Sequence, residues 1–219
     1  MSVYHYPNRM HHRTEAPRAF KRYQSYKRFL QTEFARVCVY CRQPDSVAPG
    51  LVYSVDHFRP KGLPEFAALI CDYSNLYYCC PQCNSRKNDY WHTGSEPRFI
   101  NPCDDTMTDH LRFDAATGEV TASSVHGEHM IELLQLNDGA VKDFRVSTIT
   151  AIRFLQRSLD QIEIDRAEFR IRLNAGRISQ DTYDKADAEM SRDAAALREE
   201  IQRKSGTLAI PPLPRRARR

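Results

Sequence analysis

Two short cysteine pairs constrain this chain more than any other feature of its 219 residues. Cys38 and Cys41 are separated by two residues, as are Cys80 and Cys83, and 38 residues lie between the pairs. Four thiolates in two such pairs are typical of a closed tetrahedral zinc site, in which each pair forms a tight turn and the turns converge. Cys79 is an alternative to Cys80, but the two-residue spacing favours Cys80. We therefore predict a structural Zn²⁺ that stabilises the fold and has no open position for chemistry.

The other cysteines, Cys71, Cys79 and Cys103, are predicted to be ordinary buried residues. The first residues have no apolar run typical of a secretory signal. The longest apolar run, residues 66–71, is far shorter than the roughly 18 residues that a membrane span needs. We expect a cytoplasmic protein with no membrane partner, in a reducing compartment where clustered cysteines bind metal rather than form disulfides.

The 32 Lys and Arg and 28 Asp and Glu residues give a net charge of +4, but they are unevenly distributed. Residues 1–91 contain 13 basic and 7 acidic residues, whereas residues 92–214 contain 15 basic and 21 acidic residues. The final five residues, RRARR, add four basic side chains. A basic segment followed by an acidic one indicates two modules, of which the first would attract a polyanion such as DNA.

The first part of the chain combines a helix pattern with two strand patterns. Residues 1–17 are polar and are predicted to form a poorly ordered arm, and together with a basic helix they make a first segment, residues 1–37. Residues 18–36 carry apolar side chains three or four positions apart, which predicts that amphipathic helix. Its basic face is either solvated surface or a contact for DNA phosphates. Residues 51–58 and 76–80 are predicted strands, the first after a turn at Pro44, Pro49 and Gly50, and a short helix is expected at 84–91.

The second part is turn-rich at first and then helical. Residues 92–137 are expected to be a connecting region with a small hairpin at 111–113 and 119–121. Near-heptad apolar spacing predicts a long helix from residue 128 to Gly176 and a second over 180–204, which together make an antiparallel helical hairpin at 138–205. The basic, Pro-rich tail at 206–219 is either a frayed terminus or a contact for a partner or DNA. The predicted fold class is α+β.

Polar residues beside the cysteine pairs are candidates for chemistry. Asp56 and His57 lie in the first predicted strand, Asn75 directly precedes the second, and Asn84 directly follows Cys83. The surrounding sequence reads VDHFRPKG and then YSNLYYCCPQCNSRK. This stretch, residues 38–87, resembles the HNH endonucleases. Their pattern has an Asp-His, an Asn in the following loop, and a His or Asn after the second cysteine pair; this chain has Asn at the third position.

The resemblance implies a zinc-stapled ββα-metal nuclease core at residues 38–91. His57 would be the general base that deprotonates the attacking water. Asp56 and Asn84 would hold a catalytic Mg²⁺ or Mn²⁺ through oxygen atoms, and Asn75 would orient the segment that carries His57. Three basic side chains could contact DNA phosphates, with plain surface charge as the alternative for each: Arg59, Lys61 and Lys87.

A longer stretch, from residue 38 to about residue 155, is similar to a subgroup of bacterial HNH proteins. The matching motifs are HFRPK, CN-x2-K, INPC at 100–103 and LQLN at 134–137. That subgroup includes the nuclease subunit of Septu-type anti-phage defence systems and a retron-associated relative, which act with an ATPase of the SMC/ABC-like class. The resemblance implies that the helical hairpin docks such an ATPase. The alternative is a helical cap on the nuclease core.

The leading hypothesis is a metal-dependent DNA endonuclease that nicks or cuts DNA with low sequence specificity, as the effector of an anti-phage system. A second hypothesis is a non-catalytic, zinc-stapled module that binds nucleic acid or a partner protein. The combination of Asp56, His57 and Asn84 separates the two, because a binding module needs neither a base nor a pocket for a hard metal ion. Cleavage of RNA is a third hypothesis, since no motif specifies or excludes a 2′-hydroxyl contact.

Overall fold

The computed structural model describes residues 3–47 and 52–207. The turn predicted at Pro49 and Gly50, the first residue of the predicted strand at 51–58, and the tail from residue 208 lie outside the described residues. The helices and strands, in chain order, are α1 (Lys27–Glu33), β1 (Ser54–His57), β2 (Leu76–Cys79), α2 (Pro81–Lys87), β3 (Leu111–Phe113), β4 (Val120–Ala122), α3 (Val125–Leu133), α4 (Gly139–Asn174) and α5 (Gln180–Ser205). The fold mixes helices with two separate two-stranded antiparallel sheets, as the α+β class predicts.

The first sheet and the helix that follows it form the centre of the molecule. In this sheet Ser54 pairs with Cys79 and His57 pairs with Leu76. All four residues of β2 are buried. A single residue separates this strand from α2, and α2 packs against β1. The helix predicted at 84–91 lies earlier, at Pro81–Lys87. It begins there because proline suits the first helical turn, and it ends there because Asn88 has a positive φ of 45°.

The N-terminal arm is packed onto this core, so the prediction of a poorly ordered arm was wrong for residues 3–17. Tyr4 and Tyr6 are buried. The carboxylate of Glu33 accepts hydrogen bonds from the backbone amides of Thr14 (2.9 Å) and Glu15 (2.8 Å). Two aromatic anchors and one buried carboxylate thus order a segment whose composition is mostly polar.

The helix predicted at 18–36 is shorter than its apolar pattern. A 3₁₀ turn at Tyr23–Tyr26 leads into α1, which ends at Glu33 before two residues with positive φ, Ala35 (49°) and Arg36 (60°). Tyr26 and Leu30 are buried, as the spacing predicts.

The second sheet lies at the start of the helical region. Its register pairs Leu111 with Ala122, and its turn contains Gly118 at a φ of 71°. A Cβ at Gly118 would lie 2.6 Å from the carbonyl oxygen of Lys142, so α4 approaches this turn too closely for a side chain. Arg145 on α4 is buried and donates to the carbonyls of Gly118 (3.0 Å) and Leu136 (2.8 Å), which fixes the helix to the sheet.

The long helix predicted from residue 128 is interrupted. α3 ends at Leu133, and α4 begins at Gly139 after Asp138, whose side chain accepts from the amide of Ala140. α4 and α5 then form the predicted hairpin, and the hydroxyl of Ser46 donates to the carbonyl of Arg203 near the end of α5. Among the described helices, none is both long and apolar enough to cross a membrane.

Candidate functional site

The four predicted zinc ligands converge on one buried point. The Sγ atoms of Cys38, Cys41, Cys80 and Cys83 all lie within 4.8 Å of one another. The Sγ atoms of Cys41 and Cys80 are 3.7 Å apart. A tetrahedron with Zn–S bonds of about 2.3 Å has sulfur–sulfur edges of about 3.8 Å, so this donor set fits Zn²⁺ in chemistry and in spacing. The prediction of a four-cysteine cluster that could hold zinc is confirmed.

The first cysteine pair is a turn anchored to the central sheet. Arg42 donates its amide to the carbonyl of Cys38 (3.0 Å), and Cys38 donates its own amide to the carbonyl of Gln43 (2.9 Å). Between the two cysteines, the amide of Val39 donates to the carbonyl of Tyr78 in β2 (3.1 Å). This hydrogen bond attaches the first cysteine pair to β2, the strand that leads into the second pair.

The second cysteine pair forms the first turn of α2. Cys80 is the N-cap residue, and its sulfur accepts from the amide of Cys83 (3.4 Å). A helix N-terminus favours negative charge, which suits thiolates. The pKa of Cys80 is lowered to about 5: the Cys38 thiol raises it, but hydrogen bonds from three neighbouring thiols outweigh that effect (Cys41, Cys79 and Cys83).

The fifth buried cysteine, Cys79, is not part of the cluster. Its thiol donates to the carbonyl of Cys80 (3.2 Å), and burial raises its pKa well above the usual value. The structure therefore agrees with the choice of Cys80 over Cys79. The other two cysteines that were predicted to be buried, Cys71 and Cys103, are only half-buried.

Asp56, a predicted ligand of the catalytic ion, is 3% exposed at the end of β1. One carboxylate oxygen accepts from the hydroxyl of Tyr40 (2.5 Å), and the ammonium of Lys87 lies 3.3 Å from both oxygens. Tyr40 lies between the first two cysteines, so this hydrogen bond links the zinc cluster to the candidate site. The carboxylate thus has two protein partners, and of its roughly four lone-pair positions some remain for a ligand.

Lys87, a predicted phosphate contact, points into the protein and is only 1% exposed. Its Nζ atom donates to the carbonyl of His57 (2.7 Å) as well as to Asp56. The reason is the packing of α2 on β1, which turns the last residue of the helix toward the strand. In this structure Lys87 therefore orients the Asp56–His57 dipeptide, and its ammonium faces a carboxylate and a carbonyl rather than solvent.

The ring of His57 is held in a defined orientation. Its Nε2 atom lies 3.0 Å from the carbonyl oxygen of Ile70, and the edge of the ring meets Tyr23 with centroids 4.6 Å apart. A carbonyl oxygen only accepts, so Nε2 carries the proton and Nδ1 keeps a lone pair. Burial lowers the pKa of His57, although the Ile70 carbonyl and the Asp56 carboxylate oppose this effect. A neutral imidazole with one free nitrogen can act as a base.

Asn75 fixes the backbone directly after His57. Its side chain accepts from the amide of Arg59 (2.8 Å) and donates to the carbonyl of Arg59 (3.1 Å), while its own carbonyl accepts from the amide of Phe58 (2.9 Å). These contacts hold the loop that follows the strand carrying His57.

The remaining predicted residues lie at the surface of the same region. Asn84 is half-buried on α2, and within the described residues its side-chain amide has no hydrogen-bond partner. Arg59 and Lys61 are exposed, and the ammonium of Lys61 donates to the hydroxyl of Tyr23 (3.1 Å). Across the described part of the chain, the four cysteines are the one group of three or more His, Cys, Asp or Glu placed to hold an ion. A catalytic ion would therefore need the Asn84 amide, substrate oxygens or water beside Asp56.

Sequence reasoning missed two residues that contact the candidate site. Tyr40 could have been found, because it lies inside the first cysteine pair. It directly precedes the zinc ligand Cys41 and is therefore close to the cluster. Tyr23 lies within the predicted helix at 18–36, and its packing against His57 depends on how the 3₁₀ turn before α1 meets the sheet. No local pattern indicated that contact.

The chain is similar over part of its length to one curated protein, the Septu protein PtuB of Bacillus mycoides (strain KBAB4). The two are 29% identical over 141 residues, which covers 52% of this chain and 47% of that protein. The chain thus spans about half the length of this relative. No family model matches the sequence, and no solved structure matches it either.

Proposed function

We propose that this chain is a metal-dependent endonuclease of the HNH type that hydrolyses phosphodiester bonds in DNA. The observation that carries the proposal is the setting of His57, whose Nε2 donates to a backbone carbonyl while Nδ1 keeps its lone pair. The order β1, β2, α2 beside a four-cysteine cluster supports it, because it matches the ββα-metal core that the resemblance implies.

In this proposal His57 accepts a proton from the attacking water at Nδ1. Its lowered pKa keeps the ring neutral at pH 7, so the base is available without prior deprotonation. The Ile70 carbonyl and the Asp56 carboxylate both favour the protonated ring and would stabilise the imidazolium after transfer. Lys87 fixes the backbone at His57 through its carbonyl, and Asn75 fixes the backbone two residues further on through Arg59.

Asp56 and Asn84 would hold the catalytic Mg²⁺ or Mn²⁺. Both offer hard oxygen donors, which fit these ions in kind. When bound, such an ion stabilises negative charge on the phosphate and the leaving oxygen. Arg59 and Lys61, both exposed beside the site, would contact DNA phosphates. Binding dominated by such contacts has low sequence specificity and weakens steeply with salt.

The partial similarity to Septu protein PtuB supports a role in anti-phage defence. We propose the cytoplasm as its location, in keeping with the clustered free thiols. An ATPase of the SMC/ABC-like class is the proposed partner, and the α4–α5 hairpin is its proposed docking element. α4 exposes four large apolar side chains that could serve this contact: Phe144, Phe154, Ile164 and Ile171.

A non-catalytic, zinc-stapled binding module is the second candidate. The contacts of Asp56 favour it, because a carboxylate already bound by Tyr40 and Lys87 has less capacity for a metal ion. In that case the Asp56–Lys87 pair would be purely structural.

Plasmid cleavage by the purified chain distinguishes the two candidates. The proposal expects cleavage with Mg²⁺ or Mn²⁺, none with EDTA, and a loss of about 10²- to 10⁴-fold in His57→Ala. Zinc content measured on each preparation shows that the fold is intact, and Arg112→Gln, an exposed change on β3, is the matched control. If zinc-loaded chain never cleaves, alone or with a co-purified ATPase, the binding module is correct.

A further inference from the structure

A cleft of about 510 Å³ opens next to His57, the candidate general base, and is lined in part by the segment that follows this residue. Phe58 and Arg59, the two residues after His57, line it together with Asn75. The volume is within the range of about 300–1,000 Å³ typical of ligand sites. None of the chemistry assigned to His57 uses this cleft.

A positively charged side chain lies at one wall of the cleft. Arg13 of the N-terminal arm lies over the ring faces of Phe34, Tyr73 and Tyr77, with its Cζ 4.7–5.0 Å from the centroids. Its Nη2 donates to the carbonyl of Leu76 (2.7 Å), while Nη1 is buried with no hydrogen-bond partner among the described residues. Nη2 also donates to the carbonyl of Ser74 (3.3 Å), so ring faces and two carbonyls hold this guanidinium, and its positive charge at the cleft wall favours an anion in the cleft.

A second arginine and an aromatic wall complete the cleft. Asn75 holds the backbone of Arg59, whose exposed side chain lines the cleft. Trp91 lines the other side, with its ring packed edge-on against Phe66 at 5.0 Å and beside His92 at 4.6 Å. An indole is a good surface for stacking a nucleobase.

The acidic residues of the cleft are each engaged within their own loops. Asp72 accepts from the amide (2.9 Å) and the hydroxyl (2.8 Å) of Ser74. Asp104 accepts from the side-chain amide of Asn101 (2.6 Å). These hydrogen bonds orient the two carboxylates but leave them charged, so the lining carries two negative charges against three arginines. Arg98 pairs with Asp105 outside the lining (2.6 Å), whereas Arg13 and Arg59 have no carboxylate partner among the described residues.

We propose that this cleft binds one nucleotide unit, with its phosphate on Arg13 and Arg59 and its base stacked on Trp91. The inference rests on the proposed function in one respect. If the chain is a nuclease, the bound unit is the part of the nucleic-acid substrate that lies beyond His57, the proposed general base. A nucleotide within a strand and a free mononucleotide offer the same chemistry, and the experiment separates them.

Trp91 is the only tryptophan of the chain, so its fluorescence reports on the cleft directly. The zinc-loaded full chain is titrated with dAMP, deoxyadenosine, inorganic phosphate and a single-stranded hexamer of deoxyadenylate. The proposal expects saturable quenching by dAMP or by the hexamer, with binding weakened about tenfold or more in Arg59→Gln. Arg112→Gln, an exposed arginine on β3 outside the cleft, should bind like the wild type.

Each outcome has a defined meaning. Quenching by dAMP, with weaker binding of deoxyadenosine and of phosphate alone, supports a site for a free nucleotide. Quenching by the hexamer alone supports a unit supplied by a strand. No quenching by either ligand, or equal effects of Arg59→Gln and Arg112→Gln, overturns the inference.

Cleavage measured on the same preparations separates this inference from the proposed function. Cleavage without a Trp91 response overturns the cleft and leaves the nuclease. A Trp91 response that depends on Arg59, in a chain that cleaves neither alone nor with a co-purified ATPase, supports the cleft and contradicts the nuclease.

Discussion

The zinc-binding core and the helical hairpin are stabilised in different ways. The core depends on a few buried polar contacts: four clustered thiols and the ion pair between Lys87 and Asp56, whose side chains are 0% and 5% exposed. In the hairpin, Ala194 is the only buried residue among those described from 150 to 207. Its interhelical ion pairs are solvent-accessible: the side chains of Arg166–Asp187 are 28% and 29% exposed, and those of Arg198–Glu163 are 50% and 48% exposed. Single substitutions should therefore disrupt the core, whereas the hairpin should tolerate them.

The largest effect is expected from the loss of a zinc ligand. Cys80→Ser should abolish zinc binding and unfold the core, because a structural zinc contributes about 10–16 kcal/mol in small zinc domains. Helical circular dichroism from the long α4–α5 hairpin should decrease much less. Cys71→Ser, a half-buried cysteine outside the cluster, is the matched control. Retention of one zinc and an unchanged melting temperature in Cys80→Ser would contradict the assignment.

The next largest effect is expected from the buried ion pair. Lys87→Met leaves the Asp56 carboxylate buried without its cation and should lower the free energy of unfolding by about 3–5 kcal/mol. The measurement is urea unfolding of the zinc-loaded chain. Adding Asp56→Asn to Lys87→Met removes the unpaired charge and should restore part of the stability. If Lys87→Met unfolds like the wild type, the pair does not stabilise the core.

A smaller, pH-dependent effect is expected at Glu33, which holds the N-terminal arm. Burial raises the pKa of Glu33, but hydrogen bonds from the amides of Thr14 and Glu15 and from His11 outweigh it, and the net pKa is below the ordinary value of 4.5. A carboxylate with a depressed folded-state pKa stabilises the fold above pH 4.5 and loses that contribution as the pH falls through the lower value.

Glu33→Gln should therefore reduce stability at pH 7 by about 1–3 kcal/mol and should flatten the acid limb of the stability curve. Thermal unfolding from pH 7 to pH 3 measures both effects. Glu65→Gln, an exposed change at the surface, is the control. An acid limb identical to that of the wild type would show that Glu33 does not hold the arm through its charge.

The smallest effect is expected in the hairpin. Arg198→Gln removes a surface ion pair with Glu163 and should change the free energy of unfolding by about 1 kcal/mol or less. Urea unfolding compares it with Lys87→Met under one condition. A loss as large as that of Lys87→Met would contradict the distinction between the two regions.

The sequence predicted the parts of this molecule that have local causes. Cysteine spacing identified the cluster, β-branched and aromatic residues identified β1 and β2, turn residues identified the β3–β4 hairpin, and helical apolar spacing identified the α4–α5 pair. The order of the N-terminal arm was not predictable, because it depends on a carboxylate 18 to 22 residues away. The inward direction of Lys87 was also missed, since a charged residue at a helix end is usually exposed and only the packing of α2 on β1 turns it inward.

The most direct test of the central claim is chemical rescue of the base. We predict that His57→Gly, zinc-loaded and supplied with Mg²⁺ or Mn²⁺, has little plasmid cleavage alone and regains it when imidazole is added, while the wild type is unaffected by imidazole. Cleavage by His57→Gly at the wild-type rate, with no response to imidazole, would contradict the assignment of His57 as the base.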